Sequence, residues 1–180
     1  MLILPRPAAL MGYGMRMAEV RCYLSLGSNL GDREINLRKA VGFLSDHPEI
    51  KMTRVSSIYQ TSPIHYLDQP FFLNVVLEAV TLLFQAELLR VCQQVEKKIG
   101  REENFRFGPR MIDMDILLYD EMEIDEDGLQ IPHPRMLLRK FVLIPLLEIN
   151  EKAKLPDGSS LRAALNKLGD GDKVDFYKKW

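Results

Sequence analysis

Cysteine is scarce in this chain: 180 residues contain two, Cys22 and Cys92, and neither lies in a CxxC pair or beside histidines at zinc-ligand spacing. That excludes a disulfide framework and a structural zinc site, and both thiols read as reduced core residues of a cytoplasmic protein. Long apolar runs are also missing, and no stretch approaches the roughly 20 residues that cross a bilayer. Neither sign of charge dominates, with 24 Lys and Arg against 25 Asp and Glu. The chain therefore lacks the bulk field that nucleic acid or an anionic membrane would answer to, and neither is expected as a partner. Internal repeats and low-complexity tracts are absent too. What remains is 47% hydrophobic and 27% charged residues, enough for one globular core, read as a monomer.

Residues 1–17 carry Pro5, Pro7, Gly12 and Gly14 and show no sustained period. They read as an N-terminal extension, disordered or reflecting a start assigned upstream of Met17. Residues 18–180 read as a single domain. Val20, Cys22, Leu24 and Leu26 alternate as on a half-buried strand. Asp32 then caps a helix whose buried stripe is Leu37, Ala40, Val41 and Leu44. Met52 to Tyr59 reads as a second strand, Gln60 to Pro70 as a long loop, and Phe71 to Thr81 as a third strand. Leu88, Val91, Cys92, Val95 and Ile99 form a helical stripe stopped at Gly100, and Ile112 to Tyr119 makes a fourth strand. A proline-punctuated segment at 132–145 and a short helix over 160–168 complete the chain. The order βαββαβ predicts an α+β, ferredoxin-like sandwich, with two helices on one face of an antiparallel sheet.

Asp113 and Asp115 are two residues apart on the fourth strand, so their carboxylates share a side, roughly 6.6 Å apart along the strand. Ile112, Met114, Ile116 and Leu118 are expected on the other. Paired carboxylates on a strand are either solvated or gathered around a hard cation such as Mg2+. The loop that feeds into them, residues 101–110, holds Arg101, Arg106 and Arg110, whose planar forks suit phosphate oxygens. Carboxylates for a divalent ion beside mobile arginines are the ingredients of phosphoryl transfer. Residues 113–127 hold eight acids and no Lys or Arg. Of these, only Asp113 and Asp115 are assigned a role, and 120–127 is read as an exposed turn. His133 lies between Pro132 and Pro134, near Arg135 and Arg139, and could donate to phosphate. A noncatalytic nucleotide- or RNA-binding module and a two-metal nucleotidyl enzyme remain open on these residues alone.

The run from Arg106 to Leu117, RFGPRMIDMDIL, resembles the signature of the 6-hydroxymethyl-7,8-dihydropterin pyrophosphokinase family. LGSNL at 26–30, SSIYQTSP at 56–63, DQPFFLN at 68–74 and IPHP at 131–134 extend the resemblance over about Val20 to Trp180. It implies Mg2+-dependent transfer of the intact β,γ-diphosphate of ATP to the hydroxymethyl group of the reduced pterin, with release of AMP. Asp113 and Asp115 would hold two Mg2+ ions, with Arg101 and Arg110 sharing the catalytic work. Gln93, Glu96, Arg101, Arg106, Arg110, Ile116, His133 and Arg139 match ATP contacts. Phe72 and Phe141 would sandwich the pterin, while Asn74, Thr61, Ser62 and Ile64 would read its polar edge. The loop departs from the family where Glu102, Glu103 and Phe107 stand, which predicts weaker ATP affinity or turnover.

Overall fold

The computed structural model describes residues 18–63, 67–101, 108–126, 128–169, 171 and 173–180. Strand β1 (Val20–Ser28) leads into helix α1 (Arg33–Ser45), and Asp32 caps that helix by accepting from the Ile35 N–H at 3.0 Å. Gly31 has a φ of +60°, the left-handed conformation that turns the chain between them. Next come β2 (Ile50–Val55), β3 (Ile58–Thr61), β4 (Phe72–Thr81) and helix α2 (Gln85–Ile99), which ends on left-handed Gly100. Strand β5 (Asp113–Tyr119) is followed by the hairpin β6 (Ile124–Glu126) and β7 (Leu129–Ile131). A 3-10 turn (Met136–Leu138), helices α3 (Lys140–Ile149) and α4 (Leu161–Lys167), and strand β8 (Val174–Lys178) follow.

The main sheet is antiparallel with order β5-β1-β4-β3-β8, and β2 also pairs with β4. The ferredoxin-like core expected from βαββαβ is therefore present, with additions. Among the described residues no helix is long and apolar enough to cross a membrane.

Three expectations need correction. The strand expected over Met52–Tyr59 is two strands, because the Ser56 hydroxyl accepts the Val76 N–H at 3.0 Å where a backbone carbonyl would otherwise stand. The sheet is covered on both faces. Helices α1 and α2 cover the side of Leu24, Leu77 and Met114, whereas α3, a helix that Pro145 hides from pattern reading, packs with Tyr23, Val76 and Leu117 on the other. Leu118 joins that second face rather than the first. The β1–β5 register slips between Tyr23 and Leu24, which leaves Leu117 as the extra residue and reverses the alternation after it. The C-terminal strand β8 and the β6–β7 hairpin were also absent from the expectations.

Candidate active site

Strand pairing places the candidate residues in rows. Gly27 of β1 is opposite Asp113 of β5 on one side and Asn74 of β4 on the other, and Asn74 is opposite Tyr59 of β3. Ser25 likewise separates Asp115 from Val76. Directly opposed residues in an antiparallel sheet point to the same face, so Asp113 and Asn74 flank a residue with no side chain, with α-carbons roughly 10 Å apart. A Cβ on Gly27 would lie 3.0 Å from Asn74 Oδ1 and 3.7 Å from Phe72 Cδ1. The row is open only because the middle position is glycine.

Each carboxylate meets at least one arginine from outside its strand, and Asp115 a histidine as well. Arg110 donates to Asp113 at 2.7 Å, and Arg101 reaches the same oxygen at 3.2 Å. His133 Nε2 and an Arg139 nitrogen each stand 3.6 Å from Asp115 Oδ2. The two aspartate side chains are 31% and 35% exposed, open enough for an incoming ligand. Burial, and then the charge of Asp113, push the Asp115 carboxyl up to about 6, with Arg139, Arg135 and Arg110 opposing. Burial and the neighbouring Arg139 and Arg135 lower His133 to about 4, so its imidazole is neutral at pH 7.

Glu96, which the resemblance matches to an ATP contact, is an interior residue. It is buried on α2, where it accepts the Met114 N–H at 2.7 Å and an ion pair from Arg101. Burial raises it to about 7, against the pull of Arg101 and the Met114 N–H. It therefore supports the peptide between the two aspartates and anchors Arg101.

Beside Asp115 opens a cleft of about 540 Å³ between α2, β5 and the β6–β7 hairpin, lined by Leu89, Met114, Ile116, Leu129, Gln130 and His133 among others. Asp125 and Glu126 also line it, so part of the acidic run read as an exposed turn belongs to the cleft wall, carried there by the hairpin. Gln93 is exposed on α2, one turn beyond Leu89 and three residues before Glu96. The apolar walls and neighbouring cations suit a flat heterocycle carrying phosphates.

On the other side of Gly27, Asn74 is buried and donates to the Thr61 hydroxyl at 3.0 Å. Phe72 is half-buried two residues earlier, and Ser62 is exposed. Asn74 shares its side of β4 with Val76, the face that α3 covers. Phe141, at the start of α3, is half-buried with the Arg139 guanidinium 5.4 Å from its ring centre. Ile64 and Arg106, with Glu102, Glu103 and Phe107, lie outside the described residues.

Pattern reading missed Gly27 and Asn29 as working residues, although both stand in the LGSNL run. It also missed Leu89, Leu129 and Gln130. Leu89 is half-buried on α2, beside the stripe that begins at Leu88 but not part of it; the other two depend on a hairpin that the acidic run concealed.

Among the described residues no three or more His, Cys, Asp or Glu side chains are grouped to hold a metal. Two carboxylates suit an Mg2+ ion that completes its shell with phosphate oxygens and water, so the donor set fits a nucleotide-delivered ion.

A model of the 7,8-dihydro-6-hydroxymethylpterin-pyrophosphokinase (HPPK) family matches residues 23–151, a span that includes every described residue of this site. The chain belongs to this family. HPPK likeness extends to the 2-amino-4-hydroxy-6-hydroxymethyldihydropteridine pyrophosphokinase of Bacillus subtilis, 48% identical over 132 residues, 73% of this chain and 79% of that one. The bifunctional protein FolKE of Lactococcus lactis is 42% identical over 130 residues, 72% of this chain but 37% of its own length. Among solved structures, Plasmodium falciparum HPPK-DHPS with pterin and p-hydroxybenzoate superposes with a TM-score of 0.66 at 15% identity, over 85% of this chain and 44% of that one. At that identity the likeness concerns the fold, and the HPPK fold is the one described above.

Proposed function

We propose that the chain catalyses Mg2+-dependent diphosphoryl transfer from ATP to 6-hydroxymethyl-7,8-dihydropterin, a step of folate synthesis. The hydroxymethyl oxygen attacks the β-phosphorus, the bond from that phosphorus to the α–β bridging oxygen breaks, and AMP leaves while the hydroxyl proton passes to solvent or a nearby base. The observation that carries this reading is the pairing of Asp113 and Asp115, on one face of β5, with cations from three separate segments. Membership in the HPPK family supports the choice of acceptor.

Asp113 and Asp115 would hold the magnesium that screens the triphosphate and polarises the β-phosphorus. Arg101 and Arg110, released from Asp113 as that carboxylate takes up the ion, are positioned to turn toward the transferring oxygens. His133 and Arg139 border Asp115, and His133 also lines the 540 Å³ cleft that would take the nucleoside and α-phosphate. Neutral His133 is a hydrogen-bond donor there rather than a charge. Asn74, oriented by Thr61, offers both a donor and an acceptor to the pterin amide edge. Phe72 and Phe141 supply stacking surface. Gly27 leaves the path from the pterin to the phosphates clear.

Incubation with ATP, Mg2+ and the hydroxymethyl dihydropterin should release AMP in step with pterin diphosphate. Formation of ADP instead, or an Asp113→Asn/Asp115→Asn double variant as active as the unmodified chain, would refute the reading.

A further inference from the structure

Ser25 of β1 is 7% exposed, and among the described residues its hydroxyl has no hydrogen-bond partner. Its neighbours on that face of the sheet leave it one choice. Strand pairing sets Val76 of β4 on one side and Asp115 of β5 on the other. Along β1, Gly27 carries no side chain, and the Tyr23 hydroxyl is engaged: it donates to Glu78 at 2.8 Å and accepts from the Asn150 amide at 2.8 Å. Asp115 is the polar group that remains. There the His133 and Arg139 nitrogens stop 3.6 Å away, beyond hydrogen-bond length, whereas Asp113 takes an Arg110 N–H at 2.7 Å. Directly opposed strand residues have Cβ atoms about 5 Å apart, near enough for a serine hydroxyl to meet a carboxylate oxygen. No fully enclosed polar side-chain atom among the described residues lacks a partner, so the Ser25 oxygen keeps contact with solvent. Tyr23 and Val76 are closed off and the Asp115 side chain is 35% exposed, which puts that contact on the carboxylate's side.

We propose that Ser25 is a positioning residue for divalent-ion binding: its hydroxyl donates to one oxygen of Asp115 and leaves the other aimed at the ion. This rests on the diphosphoryl-transfer reading of the site. A ligating carboxylate binds more tightly when it is itself hydrogen-bonded, because the bond fixes its rotation before the ion arrives. A neutral hydroxyl does this without cancelling the negative charge that attracts the ion, which an arginine in the same place would do. The serine oxygen moves among three staggered positions about χ1, so the bond forms with the strand left where it is. Alanine at position 25 keeps the backbone and nearly the same volume and removes only the donor.

The test is Mn2+ binding, read by electron paramagnetic resonance with the non-transferable α,β-methylene analogue of ATP present at saturation. The unmodified chain is compared with Ser25→Ala, Asp115→Ala and the double variant. Ser25→Ala should weaken Mn2+ binding by about tenfold. In the Asp115→Ala background the same substitution should change it by less than about twofold, because the acceptor is already gone. Melting temperature, and pterin affinity measured without nucleotide or divalent ion, should match the unmodified chain in Ser25→Ala. A merely structural role for the hydroxyl would lower these along with the Mn2+ affinity, and that result overturns the proposal. So does a Ser25→Ala variant that binds Mn2+ as tightly as the unmodified chain, or one whose loss is equal in both backgrounds; in each case AMP release still supports the reaction. Absence of AMP release from the unmodified chain overturns the reading of the site and the role of Ser25 with it.

Discussion

Glu96 accepts the backbone N–H of Met114 at 2.7 Å, the amide that separates Asp113 from Asp115. A buried acid on a helix thus fixes the strand that carries both candidate metal ligands, and the same carboxyl anchors Arg101. Its titration follows from this position. The folded value, about 7, lies above the ordinary 4.5, so the folded protein binds this proton more tightly than the unfolded chain does. The resulting stabilisation is complete below pH 4.5 and is lost as pH rises through 7.

Glu96→Gln keeps an acceptor for Met114 and has no proton to lose. Melting curves between pH 5 and 8 should therefore show the variant gaining on the unmodified protein as pH rises, by on the order of 1–3 kcal/mol. Parallel curves at every pH would contradict this. Glu96→Ala, which leaves the Met114 N–H without its partner, should lose stability at every pH, by about 1–3 kcal/mol.

Divalent-ion binding should depend on the charge state of Asp115, whose carboxyl burial and Asp113 hold up at about 6. A protonated carboxyl does not ligate, so Mn2+ affinity in the presence of ATP should rise about tenfold or more between pH 5 and 7.5. In Asp115→Asn that slope should flatten and the affinity should drop. A slope retained by the asparagine variant would assign the proton to another group.

Gly27→Ala tests the open row between Asn74 and Asp113. The new methyl would press on Asn74 Oδ1 at 3.0 Å and Phe72 Cδ1 at 3.7 Å. The strand tolerates alanine, so the expected stability loss is modest, about 1–3 kcal/mol. Pterin affinity should fall about tenfold, and MgATP affinity should stay within about twofold. Equal losses for both ligands, measured by titration calorimetry, would show that Gly27 serves the fold rather than the pterin side.

Cys22 and Cys92 are buried free thiols, and burial raises Cys22 to about 12 and Cys92 further. The native protein should resist a thiol-selective disulfide reagent at pH 8, and both residues should react once guanidinium unfolds it. Rapid native labelling of either thiol would mean that the α1–α2 side of the sheet opens far more readily than its packing implies.

Local pattern made the ferredoxin-like core legible. Alternation along β1 and β4 and the stripes of α1 and α2 record which side of each element is buried, and a side chain's burial leaves its mark in residue type. Asp113-Met114-Asp115 was readable for the same reason: a two-residue period sends both acids one way. The second face of the sheet was not legible, because Tyr23, Val76 and Leu117 find their cover in α3, where Pro145 masks the helical pattern. Ser56 gave no sign that it would break a strand, since its hydroxyl does so only by meeting Val76 across the sheet. Pairing is likewise what turns Gly27 from one more small residue into the gap between Asn74 and Asp113, and Asn29 from a loop residue into a bridge to Arg110 and Gln69. Residue order along the chain specifies side-chain chemistry and local period, whereas contacts between positions 40 to 80 residues apart exist only after strand register has brought them to one end of the sheet.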